Sequence, residues 1–252
     1  MSGWAVGGLC AVVAGLLGLL VPAAIARLPE PPPGPERESE ADAPPETALE
    51  RMLREEGPKE AYADVARLPL LGPLAALASA VVAGACGLRL AEDRVLFVLV
   101  PLAPLLVLLS IVDWRTRLLP RIVVLPATGV VLLLVLLEWA LTGETHVLVR
   151  ALVAMLVARS FFWLLWFVRQ AGMGFGDVRL AALVGLVLGR LGWNDWVLGL
   201  YGGLVVFALW GIGRAVVKRS RASLKQALPY GPFMVLGLVL GVLVDGSVTL
   251  FS

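Results

Sequence analysis

The chain has 252 residues, 59% of them hydrophobic and only 16% charged, and its mean hydropathy is +0.89. A soluble domain of this length could not cover so much apolar surface, so the bilayer must be part of its solvent. The formal net charge of +2 gives no indication of nucleic-acid binding, because Lys and Arg in membrane proteins chiefly mark the loops retained in the cytoplasm.

A spanning helix needs about 20 mostly apolar residues, and runs near that length recur. They predict an all-α, polytopic bundle of about eight spans: 3–26, 69–88, 95–112, 122–142, 147–168, 178–191, 196–214 and 228–246. The chain divides into a first anchor over 1–29, an acidic, Pro-rich cytoplasmic loop over 30–68 and a multi-spanning domain over 69–252. No Lys or Arg precedes the first run and Arg27 follows it, which reads as an uncleaved anchor with its N-terminus outside. Alternate loops then carry the basic residues Arg115, Arg117 and Arg121, Arg169 and Arg179, and Arg214 to Lys225. In the loop, EPPPGPERESEADAPPE has the composition of a disordered segment. Leu49, Met52 and Leu53 beyond it have the spacing of a short surface helix, with a solvated linker an equal reading. Cys10 and Cys86 fall inside apolar runs and read as small buried residues. His146 lies in an outside turn.

Carboxylates are the informative class, because an ionisable group at a membrane boundary is costly and usually has a partner or a task. Eleven of the 19 sit in the acidic loop; the others are Glu92, Asp93, Asp113, Glu138, Glu144, Asp177, Asp195 and Asp245. The topology sends all of these outward except Asp113, at the end of the third span, and Asp177, at the start of the sixth. Two acids in a poorly solvated site cannot both ionise cheaply, so one keeps a proton while the other activates water. That is aspartyl-protease chemistry, which requires no metal, histidine or cysteine. A structural alternative stays open for each: Asp177 as a helix cap, and Asp113 paired with Arg115 or Arg117. Gly172, Gly174 and Gly176 crowd before Asp177 and would permit close backbone approach by an extended substrate. Glu138 and Arg150 flank one outer turn and read as an ion pair, while Arg159 sits near mid-span with no evident partner.

Four segments in order resemble the prepilin peptidases, the type IV prepilin leader peptidase family of membrane aspartyl proteases. Met173-Gly174-Phe175-Gly176-Asp177-Val178-Arg179-Leu180 is similar to the family's Met-Gly-x-Gly-Asp-x-Lys-Leu signature, with Arg179 in place of Lys. Asp113 followed by Leu119-Pro120 and Leu125-Pro126 resembles the first aspartate segment, with Arg121 where Asp or Asn is usual. Leu228-Pro229-Tyr230-Gly231-Pro232-Phe233 is similar to the family's Pro-Phe-Gly-Pro-Phe segment, and Ile25-Ala26-Arg27-Leu28-Pro29 to the end of its first span.

The resemblance implies Asp113 and Asp177 as the catalytic pair, with Gly172, Gly174 and Gly176 as the supporting loop. It makes Arg179, Pro229, Gly231 and Pro232 candidates for substrate contact. It also implies a pilin-like precursor of type IV pili or type II secretion as partner, cut after a glycine at the cytoplasmic face of the cell membrane. No cofactor is expected for proteolysis. Many members carry two Cys-x-x-Cys pairs in the first cytoplasmic loop and this chain has none, so zinc is not expected and S-adenosylmethionine-dependent methylation is left open. The acidic loop reads either as an attractor of a basic leader or as a solvated tether. Competing readings are a peptidase for archaellin-like precursors and a non-catalytic scaffold or transporter retaining the fold.

Overall fold

The computed structural model describes residues 2–30, 60–91, 93–168, 174–217 and 229–244. Their helices are α1 (Gly3–Gly18), α2 (Val21–Ile25), α3 (Tyr62–Ala66), α4 (Leu71–Arg89), α5 (Leu96–Thr116), α6 (Arg121–Thr142), α7 (Thr145–Val168), α8 (Phe175–Leu191), α9 (Trp193–Val217) and α10 (Gly231–Leu243). Five of them, α4, α5, α6, α7 and α9, are long and apolar enough to cross a membrane, and α1 and α10 are shorter apolar helices. The chain is a polytopic all-α membrane protein, an architecture that satisfies its backbone polar groups internally where no water can do so.

Boundaries depart from the hydropathy pattern where local chemistry intervenes. The run predicted over 3–26 is two helices separated at Leu19 and Leu20, with Pro22 in the first turn of α2; proline has no N–H to continue the α1 ladder. The third span runs on to Thr116, so Asp113 lies in the last turn of α5 rather than beyond it. The sixth begins earlier, at Phe175, and the last is confined to Gly231–Leu243. The surface helix expected around Leu49, Met52 and Leu53 falls outside the described residues.

The bundle is organised around α8, in which 12 of 17 residues are buried and which packs against α6, α7, α9 and α10. Small residues allow this. A Cβ on Gly189 would meet the Ala154 Cβ and the Ala151 Cα of α7, and one on Gly185 would lie 2.7 Å from the Ala158 Cβ. Two helices thus approach almost backbone to backbone, the usual source of helix attraction where lipid removes the hydrophobic drive. On the other side α1 lies along α4 and α9 along α10. Cys10 and Cys86 are buried free thiols in the α1–α4 pair, as expected.

At the end of the bundle away from the two aspartates, the expected Glu138–Arg150 pair does not form. Glu138 receives Arg190 at 2.6 Å, and Arg190 also reaches Asp93 at 2.7 Å. Arg150 instead donates to the carbonyls of Gly189, Arg190 and Leu191 at 2.8, 2.7 and 3.1 Å. Those carbonyls close α8 and lack helical partners, so they form a ready acceptor for a guanidinium.

Because Gly189 has no room for a side chain, Gly189→Leu should destabilise the bundle by about 1–3 kcal/mol. Thermal unfolding in detergent measures this, with Gly213→Leu as a neutral control because no atom lies within 4 Å of its Cβ position.

Candidate active site

Asp113 and Asp177, 64 positions apart in sequence, are both buried, at 4% and 6% exposure. Asp113 enters from the last turn of α5, and its Oδ2 accepts the Gly231 N–H at 2.8 Å. Gly231 opens α10, and a Cβ there would stand 2.8 Å from that oxygen and 3.2 Å from the Asp113 Cγ. Only glycine lets the backbone N–H reach the carboxylate without displacing it. The ring contact of Trp114 with Trp210 at 5.5 Å and of Trp210 with Phe233 at 5.3 Å fixes the end of α5 against α9 and α10.

Asp177 enters from the first turn of α8, where the helix dipole favours negative charge. Its N–H donates to the Gly174 carbonyl at 3.1 Å, and its carboxyl has the backbone N–H of Gly174, the residue that caps α8, as a partner. Its Oδ1 is buried and has no hydrogen-bond partner. Asp113 lies close enough for its charge to act on Asp177 directly. The second glycine of the Gly-x-Gly-Asp string accounts for this meeting: a Cβ on Gly176 would lie 2.6 Å from the Leu119 Cβ. The first turn of α8 therefore lies flush against the connection that follows α5. Gly174 differs. It is exposed, and a Cβ there would meet nothing nearer than the Asp177 Oδ2 at 3.9 Å, so it leaves open space beside the acid. Gly172 falls outside the described residues.

Of the structural alternatives for Asp113, the pairing with Arg115 is not realised: Arg115 forms a two-pronged pair with Glu60, at 2.8 Å through both nitrogens. Arg117 stands within electrostatic reach of Asp113. Among the other candidates, Gly231 abuts Asp113, Pro229 is buried and Pro232 half-buried beside it, and the Arg179 guanidinium lies over the Phe175 ring at 4.9 Å.

Two features were not singled out from the sequence. Tyr230 is buried between Phe162 and Phe207, with ring centroids 5.3 and 5.0 Å away, and Asp177 lies within its electrostatic reach. One dipeptide, Tyr230-Gly231, thus bonds Asp113 through the Gly231 N–H and lies within electrostatic reach of Asp177 through the Tyr230 ring. The second feature is a strap on α5. The Glu30 carboxylate accepts the N–H groups of Tyr62 and Ala63, both at 2.9 Å, and so clasps α3 across the two ends of the acidic loop. The buried Tyr62 bonds the Thr116 side chain, three residues past Asp113; burial, with the Glu30 charge adding to it, pushes its phenol up. The proline and glycine flanking Tyr230 were visible as a motif, but the clasp depends on pairing across 32 positions, which no local pattern carries.

A cleft of about 520 Å³ lies elsewhere, between α5 and α6 with Val187 of α8 in its wall and the Glu138–Arg190 pair at its rim. Val187 is ten residues along α8 from Asp177, about 15 Å, so this cleft is remote from the acids.

Fold and site together define a multi-pass membrane protein with an acid pair buried at one end of its helices. Residues 100–215, which contain both aspartates, match the type IV leader peptidase family. The chain is also similar to proteins described as prepilin leader peptidase/N-methyltransferase. These include one from Aeromonas salmonicida strain A449 (30% identity over 73% of this chain and 60% of the relative), one from Pseudomonas putida (33% over 70% and 58%) and one from Bacillus subtilis strain 168 (28% over 73% and 71%). The similarity to this family thus includes the segments that carry both aspartates. It covers about three fifths of the length of the Aeromonas and Pseudomonas relatives. No solved structure matches it.

Gly231→Ala should crowd the Asp113 carboxylate and weaken its bond to residue 231, at a cost of about 1–3 kcal/mol. A fall in the denaturant midpoint beyond that of Gly129→Ala, whose Cβ position is empty, would verify the contact.

Proposed function

We propose that this chain is an aspartyl endopeptidase that removes the short leader from type IV prepilin or pseudopilin precursors at the cytoplasmic face of the cell membrane. The observation that carries the reading is the convergence of Asp113 and Asp177 from separate helices, with one buried Asp177 oxygen lacking a partner. A buried acceptor without a partner is costly in a merely structural site, whereas a reacting water or amide would satisfy it.

In this reading the pair holds a single proton. The ionised aspartate takes a proton from water as the water oxygen attacks the scissile carbonyl carbon. The protonated one supplies a proton to the carbonyl oxygen; as the C–N bond breaks, the proton taken from water passes to the leaving nitrogen and a hydroxyl proton of the tetrahedral intermediate returns to the second acid. The roles belong to the pair rather than to either acid. Gly174 leaves room for an extended backbone beside Asp177, and Gly231 holds Asp113 in place. Proteolysis by this route uses no cofactor, zinc or S-adenosylmethionine.

The orientation follows from charge. Arg27, Arg67, Arg115, Arg117, Arg121, Arg179 and Arg214 cluster at the aspartate end of the helices, which the positive-inside rule assigns to the cytoplasm. A precursor with a leader in the cytoplasm and an apolar helix in the bilayer would present its junction at that depth.

Co-expression with a pilin-type precursor and mass spectrometry of its N-terminus tests the proposal. The leader should be removed by the wild type, while Asp113→Asn and Asp177→Asn should each slow removal by at least about 10²-fold with insertion unchanged. Normal removal by either variant would refute the assignment. A pair with one proton also predicts a bell-shaped pH profile of kcat/KM. Activity should fall at low pH, where both acids are protonated, and at high pH, where both are ionised.

A further inference from the structure

We propose that the cleft between α5 and α6 holds one phospholipid, with an acyl chain between the helices, its phosphate on Arg94 and a primary ammonium on the carboxylates of Asp93 and Glu138. The site lies at the end of the bundle away from the acid pair and does not depend on the peptidase reading.

The cleft exists because two consecutive helices do not close on each other. α5 and α6 barely touch, and α6 leans on α8 instead. The space left between them is about 520 Å³, within the range of small-molecule sites. Val95, Val131, Val135 and Val187 form its buried walls, while Phe97 and Leu141 at its edge are exposed. In a spanning protein such edges face hydrocarbon, so the cleft is entered from the bilayer. Its α6 wall runs from Val131, midway along that helix, to Leu141 near its end. That is about 15 Å, half the thickness of the hydrocarbon core, so the wall has the depth of one leaflet.

Charge at the mouth selects the headgroup. Glu138 accepts from Nε and Nη2 of Arg190, and Asp93 accepts from its Nη1. These three side chains carry one negative charge in excess. Arg94, next to Asp93 in sequence, is exposed and lines the cleft. Among the described residues its side chain makes no hydrogen bond, ion pair or ring contact. The mouth is therefore divided into a surplus cation and a surplus of carboxylate. A purely anionic headgroup would meet the acids as well as Arg94, whereas a zwitterion matches both halves.

The chemistry of each half narrows the ligand further. A phosphate diester offers the paired oxygens that a guanidinium binds in two prongs. Each carboxylate retains lone pairs that Arg190 does not use, and Asp93 is partly exposed. A primary ammonium can donate to them, but a quaternary one has no N–H to give. The ligand class is thus a phospholipid of the phosphatidylethanolamine type. Its acyl chain would lie against Val187, three residues before Arg190, and would brace the far end of α8.

Native mass spectrometry of the detergent-purified protein tests this, with phosphatidylethanolamine, phosphatidylcholine and phosphatidylglycerol of identical acyl chains as probes. The first lipid bound should be phosphatidylethanolamine, with a Kd about tenfold below that of either other headgroup. Arg94→Gln, at an exposed position, should remove most of that advantage. Leu134→Trp, which places a ring in the cleft, should abolish the tight first binding of every headgroup. Equal binding of the three lipids, a preference for phosphatidylglycerol, or a preference unchanged in Arg94→Gln would overturn the proposal.

A second readout uses native membranes containing phosphatidylethanolamine with a photoreactive acyl chain. Labelling should concentrate on α6 between Val131 and Leu141 and exceed that of the exposed Leu156 and Leu164 of α7, and Leu134→Trp should remove the excess. Uniform labelling of the two helices, or cross-linking of the cleft to a protein helix in place of lipid, would also overturn it.

Discussion

Two acids withdrawn from water at the ends of different helices set the conditions for the rest of this structure. Asp113 and Asp177 are each nearly inaccessible, and bringing like charges together in such surroundings is tolerable only if the pair shares a proton and the scaffold resists their separation. Two glycines supply the approach. Gly176 lets α8 lie against Leu119, and Gly231 lets a backbone N–H reach Asp113. Both are close contacts in which a single added carbon would intrude, so the geometry of the acids is tied to backbone placement rather than to adjustable side chains.

That placement depends in turn on α8 being held along its length. Its glycine face meets the alanines of α7, its final carbonyls are capped by Arg150, and its last arginine is held by Glu138 and Asp93. The far end of the bundle thus anchors the helix whose first turn carries Asp177. On the other side, Glu30 and Tyr62 fasten the neck of the acidic loop to the turn that follows Asp113. Relatives of this chain are described as having two activities, leader peptidase and N-methyltransferase.

Much of this was legible in the sequence, for reasons that differ by feature. Apolar runs of spanning length identify helices because lipid leaves the backbone few other choices, and assigning each carboxylate to one side of the membrane isolates Asp113 and Asp177 without any contact being known. Partner choice was not legible in the same way. Glu138 and Arg150 sit at similar depths, yet depth does not fix which way a side chain faces around its helix, and Arg190 of the neighbouring α8 takes the carboxylate instead. The string Gly-x-Gly-Asp likewise treats its glycines alike, whereas Gly176 is packed against Leu119 and Gly174 borders open space. Tyr230 was part of a visible motif, but its position between Phe162 and Phe207 arises from three helices meeting. Pro22 was visible too, and its interruption of the first span shows that hydropathy averages over the breaks that proline imposes.

The claim on which the account turns is that these two acids meet in the membrane-embedded protein. Cysteine cross-linking of an Asp113→Cys/Asp177→Cys variant, made in a background in which Cys10 and Cys86 are replaced by alanine and assayed in native membranes, addresses this directly. The account predicts rapid cross-linking by a short bifunctional thiol reagent, detected as a link between the peptides that contain the two positions. Failure to cross-link in a correctly inserted protein, when both thiols react singly with the same chemistry, would contradict it.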